Sequence, residues 1–452
     1  MPSSRVWNSC GSFRVRLLWA FTLALTLNSF LVMDEALAVR SASVLQAKET
    51  SNSSKVEVFY QSWLDRKRNR EIPVKIYMPK QSSAAAPVVV FSHGLGGSRE
   101  AASYLGEVFA EHGFVSVHIQ HPGSDESLWK TGDGKGLKEF LQARKAGASA
   151  GGGKGSMSSA LLGEGSGAGG GGRLAGLRER FRNRNGNGDR NLGETGNGNP
   201  SGSGTLSGNF GGNRAALLAG LNSSGGLSAS GSLNRSELVG AIRSKVSKGA
   251  SGENLRLRAE DAIFVLDELA RRNDSDAVLK GRLDLNKIGM AGHSFGALTT
   301  MAMAGQNFAI GNVSKSVADP RVKAAIYLSP PVNLHGRDAS DVYGKIKIPG
   351  MLMTGTEDNS PIGETKAEDR PLPFYAIKAG EQYLVNFEGG THSMFGGRNK
   401  TVSPEAKQGH EMISRLCIAF FDAYLCGDTQ AKNWLKQDAG KYLGSRAKYE
   451  FH

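Results

Sequence analysis

A chain of 452 residues with a formal net charge of +13 is long enough for two or three domains, but much of this length is not core-forming sequence. The charge raises nucleic acid or an anionic surface as a partner. Residues 131–252 carry 16 Lys/Arg against 7 Asp/Glu, and the rest is mildly basic, with no basic stripe interleaved with aromatics; this argues against nucleic acid.

Residues 1–38 read as an export signal. Arg5, Arg14 and Arg16 precede the apolar run "LLWAFTLALTLNSFLVM", and Ala36 to Ala38 form a small-x-small cleavage triplet. Asn28 and Ser29 interrupt the run, which favours removal over anchoring. No later segment reaches the ~18 apolar residues that span a bilayer. No cysteine follows the run at a lipoprotein position. The expectation is a monomeric protein exported to the periplasm or secreted.

One domain is expected from residues 39–130 together with 253–452. Val56–Trp63 and Ile72–Met78 read as an opening strand pair, and Pro87–Phe91 as a continuous apolar strand. "REAASYLGEVFAEHG" is an amphipathic helix ending at Gly113, with the next strand at Phe114–Ile119. Composition then changes sharply. Residues 131–252 hold more than half of the 60 glycines, with many Ser and Asn, and have too little apolar surface to offset their ordering entropy. They are expected to be a low-complexity, disordered insert. Its Gly165-x-Gly167-x-x-Gly170 follows no strand and reflects composition, not a dinucleotide site.

Beyond the insert, "ENLRLRAEDAIFVLDELARRN" aligns Leu255, Ala259, Ala262, Ile263, Leu266 and Leu269 on one helical stripe. Strands follow at Lys287–Ala291, Val322–Leu328, Pro349–Met353 and Gln382–Phe387, with a helix from Phe295 and a long closing helix from Ser403. Buried strands alternating with helices predict a parallel α/β sheet. Cys417 and Cys426 share the last helix, where a nine-residue separation is a rise of ~13.5 Å, so they are expected to be free thiols.

The most informative stretch is "KIGMAGHSFGALTT". Gly292-His293-Ser294-Phe295-Gly296 is G-x-S-x-G between a buried strand and an Ala-rich helix. Such a turn presents the Ser294 hydroxyl above the sheet at a helix N-terminus. Ser294 is therefore the expected nucleophile. In this architecture a second oxyanion donor comes from the loop after the third strand, which here reads "FSHGLGG". The expected donors are the N–H groups of Leu95 and Phe295, with His93 buttressing the loop. A phosphate cradle would need Lys-Ser/Thr after the glycines, and "GGSRE" lacks it. The serine needs a base and an orienting carboxylate, in the chain order Ser, acid, His. "TGTEDNSP" offers Asp358 as the acid, with adjacent Glu357 as the alternative. "FEGGTHSMF" offers His392 as the base. No two histidines are spaced as metal ligands, so neither metal nor cofactor is expected. "HPGSDESLW" is expected at the pocket mouth, with Trp129 as an apolar wall.

"VVVFSHGLGGSRE", "GHSFG" and "THSMF" together resemble the platelet-activating-factor acetylhydrolase and dienelactone-hydrolase-like branch of the α/β-hydrolases, over about 87–130 and 253–425. The resemblance implies the α/β-hydrolase fold, Ser294 as nucleophile, His392 as base and the Leu95 and Phe295 amides as oxyanion donors. Two features depart from it. Dienelactone hydrolases use a cysteine where this chain has Ser294. The acetylhydrolases carry their acid after the strand following the elbow, where this chain reads "AAIYLSPPV" with Ser329, so the acid is expected one strand later, at Asp358.

These residues point to an exported serine hydrolase of short-acyl lipid, lactone or polyester esters. The alternatives are an acyltransferase and a non-enzymatic surface-binding protein whose basic insert contacts anionic surfaces.

Overall fold

The structure, a computed structural model, describes residues 55–129 and 244–452, apart from 83, 245, 312, 333, 362–364 and 398–403. The expected signal segment and most of the expected insert lie outside the described residues.

The described residues are built around a nine-stranded sheet. Its strands are β1 (Val56–Asp65), β2 (Arg70–Pro79), β3 (Ala86–Ser92), β4 (Val115–Ile119), β5 (Leu283–His293), β8 (Val322–Leu328), β9 (Gly350–Glu357), β10 (Gln382–Thr391) and β11 (Ala447–Phe451), in the spatial order β1-β2-β4-β3-β5-β8-β9-β10-β11. The six strands from β4 to β10 in that order run parallel, and the outer pairings β1–β2, β2–β4 and β10–β11 are antiparallel. A separate hairpin pairs β6 (Phe308–Ile310) with β7 (Val313–Lys315). The helices are α1 (Ser103–Glu111), α2 (Gly252–Ser275), α3 (Phe295–Ala304), α4 (Ala339–Tyr343), α5 (Leu372–Ala376), α6 (Pro404–Leu425), α7 (Thr429–Gln437) and α8 (Ala439–Leu443). This is the α/β-hydrolase fold.

β3 shows why the sheet sits in the middle. Successive side chains point to opposite faces, and every residue of "APVVVFS" is buried. Val88 and Val90 pack with Ala259, Ala262, Leu266 and Leu269 of α2 on one face. Val89 and Phe91 pack with Leu105 and Phe109 of α1 and with Phe420 and Phe421 of α6 on the other. Of the expected α2 stripe, Leu255, Ala259, Ala262, Leu266 and Leu269 are buried and Ile263 is half-buried, while Val265 is buried in addition; Ser251 caps the helix by accepting the Asn254 N–H. Cys417 is buried and Cys426 is half-buried, and no disulfide joins the two.

The C-terminal end of the segment expected to be low-complexity is part of the folded domain. Residues 246–249 are helical and Val246 is fully buried. A Cβ added at Gly249 would lie 2.8 Å from Leu128 and 3.1 Å from Leu95, so this stretch packs against the 3₁₀ turn Glu126–Trp129 and against the glycine loop. No helix among the described residues is long and apolar enough to cross a membrane.

Candidate active site

The parallel strands deliver the site from their carboxyl ends, where open α/β sheets place ligands. Ser294 follows β5 and begins α3 with φ 56° and ψ −120°, a backbone geometry that is strained for a side chain with a Cβ. The flanking glycines make the turn possible. A Cβ on Gly292 would overlap the Gly296 carbonyl, and one on Gly296 would overlap the Ser92 carbonyl of β3. The Ser294 N–H donates to Leu328 O of β8 at 2.9 Å, fixing the elbow to the sheet.

His392 leaves the end of β10 and lies between the other two expected residues. Its Nε2 is 3.0 Å from Ser294 Oγ and its Nδ1 is 2.9 Å from Asp358 Oδ1. With Nδ1–H donating to the carboxylate, Nε2 is left to accept the Ser294 hydroxyl proton. The structure thus brings together Ser294, His392 and Asp358. Glu357, the alternative acid, is exposed at the end of β9, whereas Asp358 is fully buried.

Asp358 is held by more than the histidine. Thr354 Oγ1 donates to its Oδ2 at 2.9 Å, Ser329 Oγ donates to its Oδ1 at 2.9 Å, and Arg370 Nε lies 3.0 Å from Oδ1. Arg370 is fully buried, and burial lowers its guanidinium from the ordinary value. It also donates to the backbone carbonyls of Asp358, Ser329 and Pro330. His293, the unspecified residue of the elbow motif, sits with its Nε2 3.0 Å from the His392 carbonyl oxygen and ties the histidine loop to the elbow.

The glycine loop after β3 passes beside the nucleophile. A Cβ on Gly94 would lie 3.2 Å from both Ser294 Cβ and His293 Nδ1, so the Leu95 peptide follows directly from the contact with Ser294. Phe295, whose amide is the other expected donor, opens α3 immediately after Ser294. Gly96 has φ +67°, and its carbonyl accepts the Trp129 indole N–H at 2.8 Å. Trp129, expected as an apolar wall, is therefore also a polar latch on the loop: a buried or half-buried indole N–H takes a partner, and the nearest is the loop backbone.

Behind the loop lies a buried polar network. Arg258 of α2 donates to Ser92 Oγ at 2.9 Å, to Ser124 Oγ at 2.8 Å, to Thr299 Oγ1 at 2.9 Å and to the His93 carbonyl. Its cation sits 4.9 Å from the centre of the Phe295 ring. Burial pushes this guanidinium down to about 9. His121 Nδ1 is 3.1 Å from Asp261, which also accepts from Arg68 and Arg70. Burial favours the neutral acid, but hydrogen bonds from His121 and Arg70 prevail and hold the Asp261 carboxyl at about 2. His93 is fully buried, and its Nε2 accepts the His121 backbone N–H at 3.0 Å. It occupies the buttressing position expected of it, away from the proton relay on Ser294. Among the described residues no group of three or more His, Cys, Asp or Glu is placed to hold a metal ion.

The family model of platelet-activating factor acetylhydrolase, isoform II, matches residues 45–133. The chain is an α/β-hydrolase similar to that family. The matched stretch carries β1 to β4, the glycine loop and Trp129, and Ser294, Asp358 and His392 lie beyond it. No curated protein matches this α/β-hydrolase. The match and the fold together support a hydrolase of the α/β-hydrolase superfamily, similar to that family over residues 45–133.

Sequence reasoning did not single out Arg370, Thr354, Arg258 or Asp261, and it noted Ser329 only for lacking a carboxylate. Arg258 and Asp261 lie on the α2 sequence between the apolar stripe positions, where charged residues ordinarily face water.

Proposed function

We propose that this α/β-hydrolase cleaves carboxylic esters through an acyl-serine intermediate on Ser294. The observation that carries the reading is the unbroken hydrogen-bonded chain from Ser294 Oγ through His392 to the buried Asp358 carboxylate. His392 Nε2 removes the hydroxyl proton as Ser294 attacks the ester carbonyl, and Asp358 fixes the tautomer and stabilises the imidazolium. The tetrahedral oxyanion is held by the N–H groups of Phe295 and Leu95, on a loop kept rigid by Trp129 and Arg258. His392 then returns the proton to the leaving alcohol. Water attacks the acyl-serine by the same relay, releasing the acid. No metal or cofactor enters these steps.

The match to a family named for an acetylhydrolase of platelet-activating factor supports a short-acyl ester substrate, with lipid, lactone and polyester esters as the classes to screen. The basic N-terminal segment, its apolar run and the triplet at Ala36 to Ala38 support action outside the cytoplasm, and the basic residues of 131–252 support contact with anionic surfaces there. The test is turnover of p-nitrophenyl esters of graded acyl length by the wild type and by Ser294→Ala. The reading requires Ser294→Ala to fold and to lose more than about a thousandfold in kcat. A folded variant that keeps more than a few per cent of turnover would remove Ser294 from the reaction.

A further inference from the structure

We infer that Arg370 is a positioning residue that sets the pH range over which His392 serves as base. The inference rests on the proposed roles of Ser294, His392 and Asp358. Arg370 Nη2 lies 3.1 Å from His392 Nδ1. That nitrogen carries the proton given to Asp358, and a guanidinium has no lone pair with which to accept it. The approach is therefore donor against donor, and it acts on the ring through charge alone.

The groups facing the His392 ring set the balance. Asp358, from the end of β9, favours the imidazolium. Arg370, from the turn before α5, opposes it with a charge that a guanidinium does not lose in proteins. His293, from the elbow, has its ring centre 4.8 Å from that of His392 and would also oppose a second positive charge if protonated. Ser294 and Ser329 contribute hydroxyls, and Ser329 Oγ is 2.7 Å from Nδ1. Against burial, which disfavours the charge, Asp358 and then the buried Asp369 beside Arg370 favour the charged guanidinium. Arg370 is thus the fixed cation that partly neutralises Asp358, so that His392 loses its proton, and becomes a base, at lower pH than it would beside an uncompensated carboxylate. The same fork holds the ends of β8 and β9 together through the Ser329, Pro330 and Asp358 carbonyls, which gives the charge a rigid mount.

The experiment is the pH dependence of kcat/KM on p-nitrophenyl acetate for the wild type, Arg370→Gln and Arg370→Lys, with folding checked by thermal melting. The expected result is that the acid limb of Arg370→Gln moves up by about one pH unit, while Arg370→Lys, which keeps the charge and loses the fork, stays within about 0.3 of a unit of wild type at reduced kcat. A uniform loss for Arg370→Gln at every pH, with the limb unmoved, would make Arg370 a structural residue only and overturn the inference. If Arg370→Gln does not fold, Arg370→Met replaces it as the variant without the charge: a limb raised by about one pH unit supports the inference, and an unmoved limb overturns it. Wild-type protein without Ser294-dependent hydrolysis would instead remove the underlying reading, a result distinguishable because no profile would exist to shift.

Discussion

Ser329 Oγ donates to Asp358 Oδ1 at 2.9 Å, and both groups lie within 2.9 Å of His392 Nδ1. A hydroxyl from the end of β8 and a carboxylate from the end of β9 therefore converge on one imidazole nitrogen. The end of β8, where the resemblance would place the acid, carries Ser329, and the proposed acid, Asp358, stands one strand along. Asp358→Asn should cost at least about a hundredfold in kcat, because the amide no longer stabilises the imidazolium and can select the wrong tautomer. Glu357→Gln should cost less than about tenfold, since that carboxylate is exposed. The double variant Ser329→Asp/Asp358→Ser should recover at least about tenfold over Asp358→Ser alone, by returning a carboxylate to Nδ1. Steady-state kinetics on p-nitrophenyl acetate check all three, and no recovery would mean that the two strand ends are not equivalent.

The glycine loop offers a second prediction. A Cβ on Gly96 would overlap the Trp129 indole and would also have to adopt φ +67°. Gly96→Ala should therefore displace the Leu95 amide and lower kcat by about a hundredfold, the scale of a lost oxyanion donor. Trp129→Phe keeps the ring but removes the 2.8 Å bond to Gly96 O, and should lower kcat by about tenfold with KM little changed. A rise in KM at constant kcat in either variant would place the loop in substrate binding instead.

Val246 and Gly249 bear on residues 131–252. Because Gly249 packs beside Leu128, a linker of about ten residues suffices to rejoin the chain across the gap. Replacing 134–241 with such a linker should leave turnover and melting temperature close to wild type. Extending the cut through 250 should destabilise by about 1–3 kcal/mol, from loss of the fully buried Val246 side chain. Equal melting temperatures for the two deletions would contradict this boundary.

Stability should weaken with mild acid. Burial pushes the His118 imidazole down to about 3, and burial with the neighbouring Arg258 cation pushes His121 to about 4. A histidine depressed in the folded state binds a proton first in the unfolded chain. Its contribution is complete above about pH 6.5 and is lost as pH falls toward the folded value. Each ring should then cost about 2 kcal/mol between pH 7 and pH 5, measured by urea denaturation. His118→Gln should lose less over the same interval than wild type, and an identical pH dependence would show that His118 is not the source.

The parts of this molecule that obey a period were readable in advance. β3 and the α2 stripe follow from alternation and helical spacing, and the Ser294 elbow follows from two glycines that no other residue can replace. The short helices α4 and α5, the β6–β7 hairpin and the edge strand β11 were not foreseen; each is too short to show a period, and each is fixed by packing against residues distant in sequence. The same holds within the site. Arg370 reads as an ordinary charged residue until β8, β9 and β10 place Ser329, Asp358 and His392 around it, and Arg258 becomes a buried anchor only because β3 and β5 lie beneath α2.

The most direct test of the account is covalent labelling of the folded protein with a fluorophosphonate, followed by mass mapping of the adduct. One phosphonyl group is expected on Ser294, with labelling lost in Ser294→Ala and slowed by more than about a hundredfold in His392→Ala. An active esterase that takes no label at Ser294, or that is labelled and inhibited at another residue, would contradict it.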